Sequence, residues 1–73
     1  NLNLLREAKA PSSIPMIVEG GLGRASHIVT AFEAGADAVL VNTAIVQAKD
    51  PVLMARTMAL ASEVGRNSYL TAI

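Results

Sequence analysis

Ile14-Pro15-Met16-Ile17-Val18 runs into Glu19-Gly20-Gly21-Leu22-Gly23, and Gly35-Ala36-Asp37 leads into Ala38-Val39-Leu40-Val41-Asn42-Thr43; these two stretches decide the fold class. Ile14 to Val18 is short, continuously apolar and rich in β-branched residues, which predicts a strand buried on both faces of a parallel sheet. Pro15 cannot donate to a ladder, so it fits only the first residues of that strand. Ala38 to Val41 repeats the pattern, and Asn42-Thr43 closes it with polar residues that suit a turn. Between the strands, Ser26 to Ala34 places Ile28, Val29 and Phe32 on one stripe, and Gly35 stands where a C-cap glycine belongs. The expected unit is strand, glycine loop, helix, strand.

Outward from this unit the chain stays helical in period. Upstream, Leu2, Leu5 and Ala8 recur at spacings of three with Arg6, Glu7 and Lys9 between them, which predicts the last turns of an amphipathic helix, broken by Pro11-Ser12-Ser13. Downstream, Asp50-Pro51 opens the longest helix, because the Asp side chain accepts from orphan amides and proline at the first helical position gives up no hydrogen bond. Met54, Met58, Ala61 and Val64 are expected on its core stripe, with Arg56 and Glu63 on the other side. Gly65 either ends this helix or lies within one that continues through Tyr69. Alternating helices and wholly apolar strands require a helix-covered parallel sheet, and two strands cannot be that sheet alone. Further strands are expected upstream, in a barrel or in an open doubly wound sheet. The chain opens on Asn1 without an initiator Met and is expected to be one C-terminal piece, residues 1–73, of a longer domain.

Composition narrows the function classes. The 73 residues are 52% hydrophobic, contain no cysteine, and balance six basic against six acidic residues. Without cysteine there is neither a disulfide framework nor a thiolate metal site. Formal neutrality with one Phe and one Tyr argues against an electrostatic footprint or a stacking surface for nucleic acid. The apolar tracts are too short for a membrane span, and Asn1 to Ala10 lacks the form of a signal peptide, so a cytoplasmic setting is expected.

In parallel α/β proteins ligands gather at the C-terminal ends of the strands, which here are Glu19-Gly20-Gly21-Leu22-Gly23 and Asn42-Thr43. Glycines let an anion approach backbone amides closely, and a following helix N-terminus favours negative charge, so these loops predict a phosphate site. The alternative is that the glycines serve tight turns only. Glu19, at a strand end, is placed to move a proton, or else is solvated or ion-paired. His27, in the first turn of the middle helix, has no nucleophile or metal-ligand partner spaced with it and is expected at the surface. Lys49 precedes the capping Asp50 and is expected to be solvated. Ser12, Ser13, Ser26 and Thr43 have no base beside them, which removes support for nucleophilic hydrolysis.

Pro-Met-Ile-Val-Glu-Gly-Gly-Leu-Gly (15–23), Gly-Ala-Asp-Ala-Val-Leu-Val-Asn-Thr-Ala-Ile (35–45), Asp-Pro-Val-Leu-Met-Ala (50–55) and Gly-Arg-Asn-Ser-Tyr (65–69) together resemble the thiazole synthases of thiamine biosynthesis. Gly-Ala-Asp-Ala-Val is shared by many phosphate-binding barrels, whereas Val-Asn-Thr-Ala-Ile followed by Ala-Lys-Asp-Pro-Val and Met-Ala is specific. The resemblance implies the C-terminal portion of a (β/α)8 TIM barrel, with Met16 to Glu19 on its seventh strand and Ala38 to Val41 on its eighth. It implies an enzyme that joins 1-deoxy-D-xylulose 5-phosphate, dehydroglycine and sulfur from a small thiocarboxylated carrier protein through a lysine imine. That lysine belongs to an earlier strand; neither Lys9 nor Lys49 matches it, so this piece alone is expected to be inactive. Gly20, Gly21, Asn42 and Thr43 are implied as the sugar-phosphate ligands and Glu19 as the catalytic acid. Where the family usually has Asp then Ala, this chain has Glu19 and Gly20, an acid one methylene longer. No metal or cofactor is expected; partners are the sugar phosphate, the carrier protein and further copies in a homo-oligomer. Pyridoxal-phosphate synthase and flavin-binding barrels are the rival enzymes, and a non-catalytic phosphate-binding or assembly piece is the rival of another class. The first lacks Asn-Thr-Ala after its last strand, and the second normally has a Gly-Arg type turn there.

Overall fold

A computed structural model describes residues 15–73. The expected helix from Leu2 to Ala8, the break at Pro11-Ser12-Ser13 and the residue Ile14 lie outside the described residues. Within them the order is β1 (Ile17–Glu19), α1 (Ala25–Glu33), β2 (Ala38–Leu40), α2 (Thr43–Val46) and α3 (Pro51–Thr71). The α/β class and the βαβ unit are as the sequence indicates. The short helix α2 is an addition: Asn42 O accepts from the Ile45 and Val46 amides, so the polar pair that ends the strand also starts a turn of helix. Gly65 does not stop the last helix, which runs 21 residues.

The strands pair in parallel with Ile17 opposite Ala38, Val18 opposite Val39 and Glu19 opposite Leu40. This register begins at Met16, whose N–H donates to Asp37 Oδ2 at 2.6 Å and whose carbonyl accepts from the Asp37 and Ala38 amides at 2.8 and 3.3 Å. Gly35 takes φ +105°, a left-handed turn that only glycine adopts without strain, and it brings Ala36 into full burial just before this clamp. Arg66 on α3 reaches the same carboxylate, 3.9 Å from Oδ1.

Side chains alternate across the pleat, so the sheet has two unlike faces. Val39 and Val41 pack toward the helices, against the core of Ile28, Phe32, Met58 and Ala61. Ile17 and Leu40 face the other way and are 61% and 58% exposed. Within the described residues α1 and α3 cover one side of the sheet only, which agrees with the expectation that two strands are not the whole sheet.

Asp50 caps α3 as its sequence predicts, accepting the Leu53 N–H at 3.0 Å, with Pro51 in the first turn. Met58 and Ala61 lie on the buried stripe, but Val64 does not; it is exposed, and Gly65 takes the buried place instead. The reason is the closeness of α1 and α3. A Cβ at Gly65 would sit 2.9 Å from both Phe32 Cβ and Val29 O and 3.0 Å from Val29 Cα. Ser68 Oγ donates to Glu33 Oε2 at 2.6 Å and ties the same two helices farther along.

Gly65→Ala is therefore expected to destabilise the full-length protein that carries this chain. Alanine gains about 1 kcal/mol over glycine in helix propensity, while overpacking costs about 1–3 kcal/mol. Two of the three obstructing atoms are α1 backbone, which no rotamer change can move, so overpacking prevails. Thermal melting should show a midpoint lower by a few degrees; a raised midpoint would mean that the helices separate freely.

Candidate functional site

β1 and β2 end at the same level because their register is fixed, and the loops that leave them border one open cleft of about 910 Å³. Glu19, Gly20, Gly21, Asn42 and Thr43 all line it. The structure thus brings together the five residues singled out in the sequence, from two loops separated by a helix and a strand. His27 and Gln47 add polar groups to the lining, and Leu22, Leu40, Val41 and Ala44 supply its apolar part.

Glu19 is the last residue of β1 and is exposed, on the same sheet face as Ile17 and Leu40. Gly20 and Gly21 follow with φ +79° and +67°, and a Cβ on either would meet no protein atom within 4 Å. Open space beside a left-handed backbone leaves room for a close-approaching ligand, and it is equally a feature of a tight turn at the surface. Asn42 and Thr43 are exposed at the other wall, and the Asn42 side chain makes no capping hydrogen bond to α2 although its residue starts that helix. Lys49 is exposed and is not part of the lining.

His27 is exposed, as expected, yet it also occupies a position in the lining. Its Nδ1 accepts from Gly23 N–H at 3.0 Å and from Arg24 N–H at 3.2 Å. The signal available in the sequence was its place three residues after Arg24, the position from which a side chain in the first turn can reach back to the N-cap amide. Gln47 carried no such signal, because it reaches the cleft only through the unforeseen α2. No group of three or more His, Cys, Asp or Glu side chains among the described residues is arranged to hold a metal ion. No helix among them is long and apolar enough to cross a membrane.

A two-loop cleft at the C-terminal ends of parallel strands defines an α/β protein whose cleft lies where this class gathers its ligands. Residues 1–73 match the family described as thiazole biosynthesis protein ThiG, and the chain belongs to that family. Thiazole synthase of Aeromonas salmonicida is 55% identical over 60 residues, 82% of this chain and 24% of that protein. Thiazole synthase of Desulforamulus reducens is 59% identical over 58 residues, 80% of this chain and 23% of that protein. The chain thus spans about a quarter of the length of these curated relatives. Among solved structures, a chain of the BexX/CysO complex of Amycolatopsis orientalis superimposes with a TM-score of 0.96 at 45% identity, over 100% of this chain and 30% of that one.

The glycines of the loop are expected to differ in their tolerance of a methyl group. Gly21→Ala forces a side chain into φ +67°, whereas Gly23 has no positive φ and its Cβ would only touch His27 at 4.0 Å. A left-handed alanine costs about 1–2 kcal/mol, so Gly21→Ala should lower the denaturation midpoint of the full-length protein while Gly23→Ala leaves it nearly unchanged. Equal effects would show that the loop relaxes out of its left-handed turn.

Proposed function

We propose that residues 1–73 form the C-terminal portion of a (β/α)8 barrel thiazole synthase, with β1 as its seventh strand and β2 as its eighth. One observation supports the barrel: the parallel pair exposes Ile17 and Leu40 on the face away from the helices, an apolar face that the side chains of further strands would cover. The whole enzyme then makes thiazole phosphate from 1-deoxy-D-xylulose 5-phosphate, dehydroglycine and the sulfur of a carrier-protein thiocarboxylate. Its imine-forming lysine lies outside this chain, so the chain alone is inactive.

The contribution of this chain is the phosphate-binding part of the site. The observation that carries the reading is the convergence of Gly20, Gly21, Asn42 and Thr43 on one cleft in a member of the thiazole synthase family. Left-handed glycines with free space beside them let phosphate oxygens reach backbone N–H groups, and the Asn42 amide and Thr43 hydroxyl supply side-chain donors from the opposite wall. Glu19, at the end of β1 on the sheet face that a barrel turns inward, is the group placed to carry protons between substrate atoms. Its extra methylene relative to aspartate lets the carboxylate extend farther from the strand. A carrier-protein partner is supported by the solved neighbour, which is a complex of two proteins. Cytoplasmic action and assembly into a homo-oligomer complete the reading.

Full-length protein given the three substrates should release thiazole phosphate, and residues 1–73 alone should release none. In the full-length protein Gly21→Val should weaken binding of deoxyxylulose phosphate more than Lys49→Ala. Valine brings both strain and bulk to a backbone that the ligand must approach, whereas Lys49 stands outside the cleft and offers only a screened charge. Dissociation constants for both variants, with folding verified by circular dichroism, decide the order. Normal binding by Gly21→Val with a large loss in Lys49→Ala would move the phosphate site elsewhere.

A further inference from the structure

We infer that His27 is a positioning residue of the phosphate loop: its neutral imidazole holds the Gly20–Arg24 backbone in the form that receives the anion. The inference rests on the phosphate reading of the cleft and assigns a role to a side chain which that reading does not use.

The geometry is specific. Nδ1 of His27 accepts from two successive amides, Gly23 N–H at 3.0 Å and Arg24 N–H at 3.2 Å. A nitrogen that accepts carries no proton, so the proton of the neutral ring is on Nε2. At the start of α1 the usual capping acceptors are absent, since Arg24 stands at the N-cap and makes no side-chain cap. His27 instead reaches back from the third helical position to the amides that precede the helix, and its own amide donates to Arg24 O at 3.0 Å. The imidazole, the Arg24 peptide and the Gly23 amide thus form one closed unit that joins the rigid helix to the loop.

The unit constrains the loop where its own sequence does not. Gly20, Gly21 and Gly23 leave the backbone with wide conformational freedom, and a Cβ at Gly20 or Gly21 would meet nothing within 4 Å. Packing therefore does little to hold these glycines, and the two bonds to Nδ1 are the side-chain attachment of the loop's distal end. They also consume the Gly23 and Arg24 amides. The loop amides left for an anion are then those of Gly20, Gly21 and Leu22, in the cleft that Asn42 and Thr43 also line, together with the first amides of α1.

The test is a comparison of variants in the full-length protein, with inorganic phosphate as the probe and isothermal titration as the readout. Asparagine places its Oδ1 at the branch position of Nδ1, whereas glutamine places its carboxamide farther out, near the position of Nε2. His27→Ala should weaken phosphate binding about tenfold, the effect of losing roughly two modest hydrogen bonds that order the loop. His27→Asn should recover most of that loss and His27→Gln little of it. If His27→Ala fails to fold, the Asn and Gln variants carry the comparison by themselves. Unchanged affinity in all folded variants would reduce His27 to a stability role and overturn the inference, and recovery by Gln but not Asn would make it a direct ligand through Nε2. If the unsubstituted protein itself binds no phosphate, the phosphate reading fails first and the inference falls with it.

Discussion

The contact on which the remaining structure depends is the one between Met16 and Asp37. A carboxylate that accepts from one strand's first amide, beside backbone amides that donate to the same residue's carbonyl, fixes where a parallel pair begins. Parallel pairing lacks the tight hairpin that sets register in antiparallel ribbons, because its strands are joined by a long crossover. With strands of three residues each, a slip by one would turn Val39 away from the helices and bring Leu40 toward them. Asp37 prevents this at the end of the strands opposite the cleft. The two glycine-bearing and polar loops then leave the sheet at one level, and a shared site becomes possible.

The second constraint lies between the helices. Gly65 lets α3 rest on the backbone of α1 at Val29, and Phe32 fills the space beside it. Because α1 is the crossover of the βαβ unit, its seat on α3 also determines where its N-terminus, and with it His27, meets the glycine loop. Of the helix hydroxyls, that of Ser68 joins α3 to Glu33 of α1, while four others are turned to their own helix. Thr30, Thr57, Ser62 and Thr71 each donate to the carbonyl four residues back, which satisfies them locally.

Much of this was legible in the sequence because it depends on local periodicity and on short-range chemistry. The strand runs, the αL glycine at 35 and the Asp50-Pro51 helix start are each determined by residues within a turn or two of the feature. That the Glu19 to Gly23 and Asn42-Thr43 loops lie together at one cleft was legible because parallel topology sends both to one end. What was not legible depends on long-range fit. Val64 has the hydrophobicity and spacing of a core residue, yet the buried place belongs to Gly65, a choice made by how closely α1 approaches. The exposure of Ile17 and Leu40 likewise cannot be read from an apolar run, since which face is covered depends on where the helices pack. The helix α2 was hidden because Asn42 and Thr43 suit both a turn and a helix start, and its consequence was the unexpected place of Gln47 in the cleft.

The cleft has a charge pattern that bears on its chemistry. Among the described residues that line it there is no Lys or Arg, and besides His27 the ionisable group is Glu19. On the phosphate reading proposed above, this chain's contribution to holding the anion is through oriented dipoles: backbone N–H groups beside left-handed glycines, an amide, a hydroxyl and the N-terminal end of α1. Dipoles act at short range and lose little to salt, whereas a lysine acts over a Debye length and is screened within about 10 Å at 0.1 M ionic strength. Such a site selects by shape and donor direction more than by net charge. The same reading requires an ordered loop: a flexible lysine can follow its phosphate, but a backbone amide that points a few tens of degrees away contributes almost nothing. The bonds from Gly23 and Arg24 to His27, the crossover helix seated on Gly65, and the Asp37 clamp at the far end of the sheet are successive parts of one rigid mount for those amides.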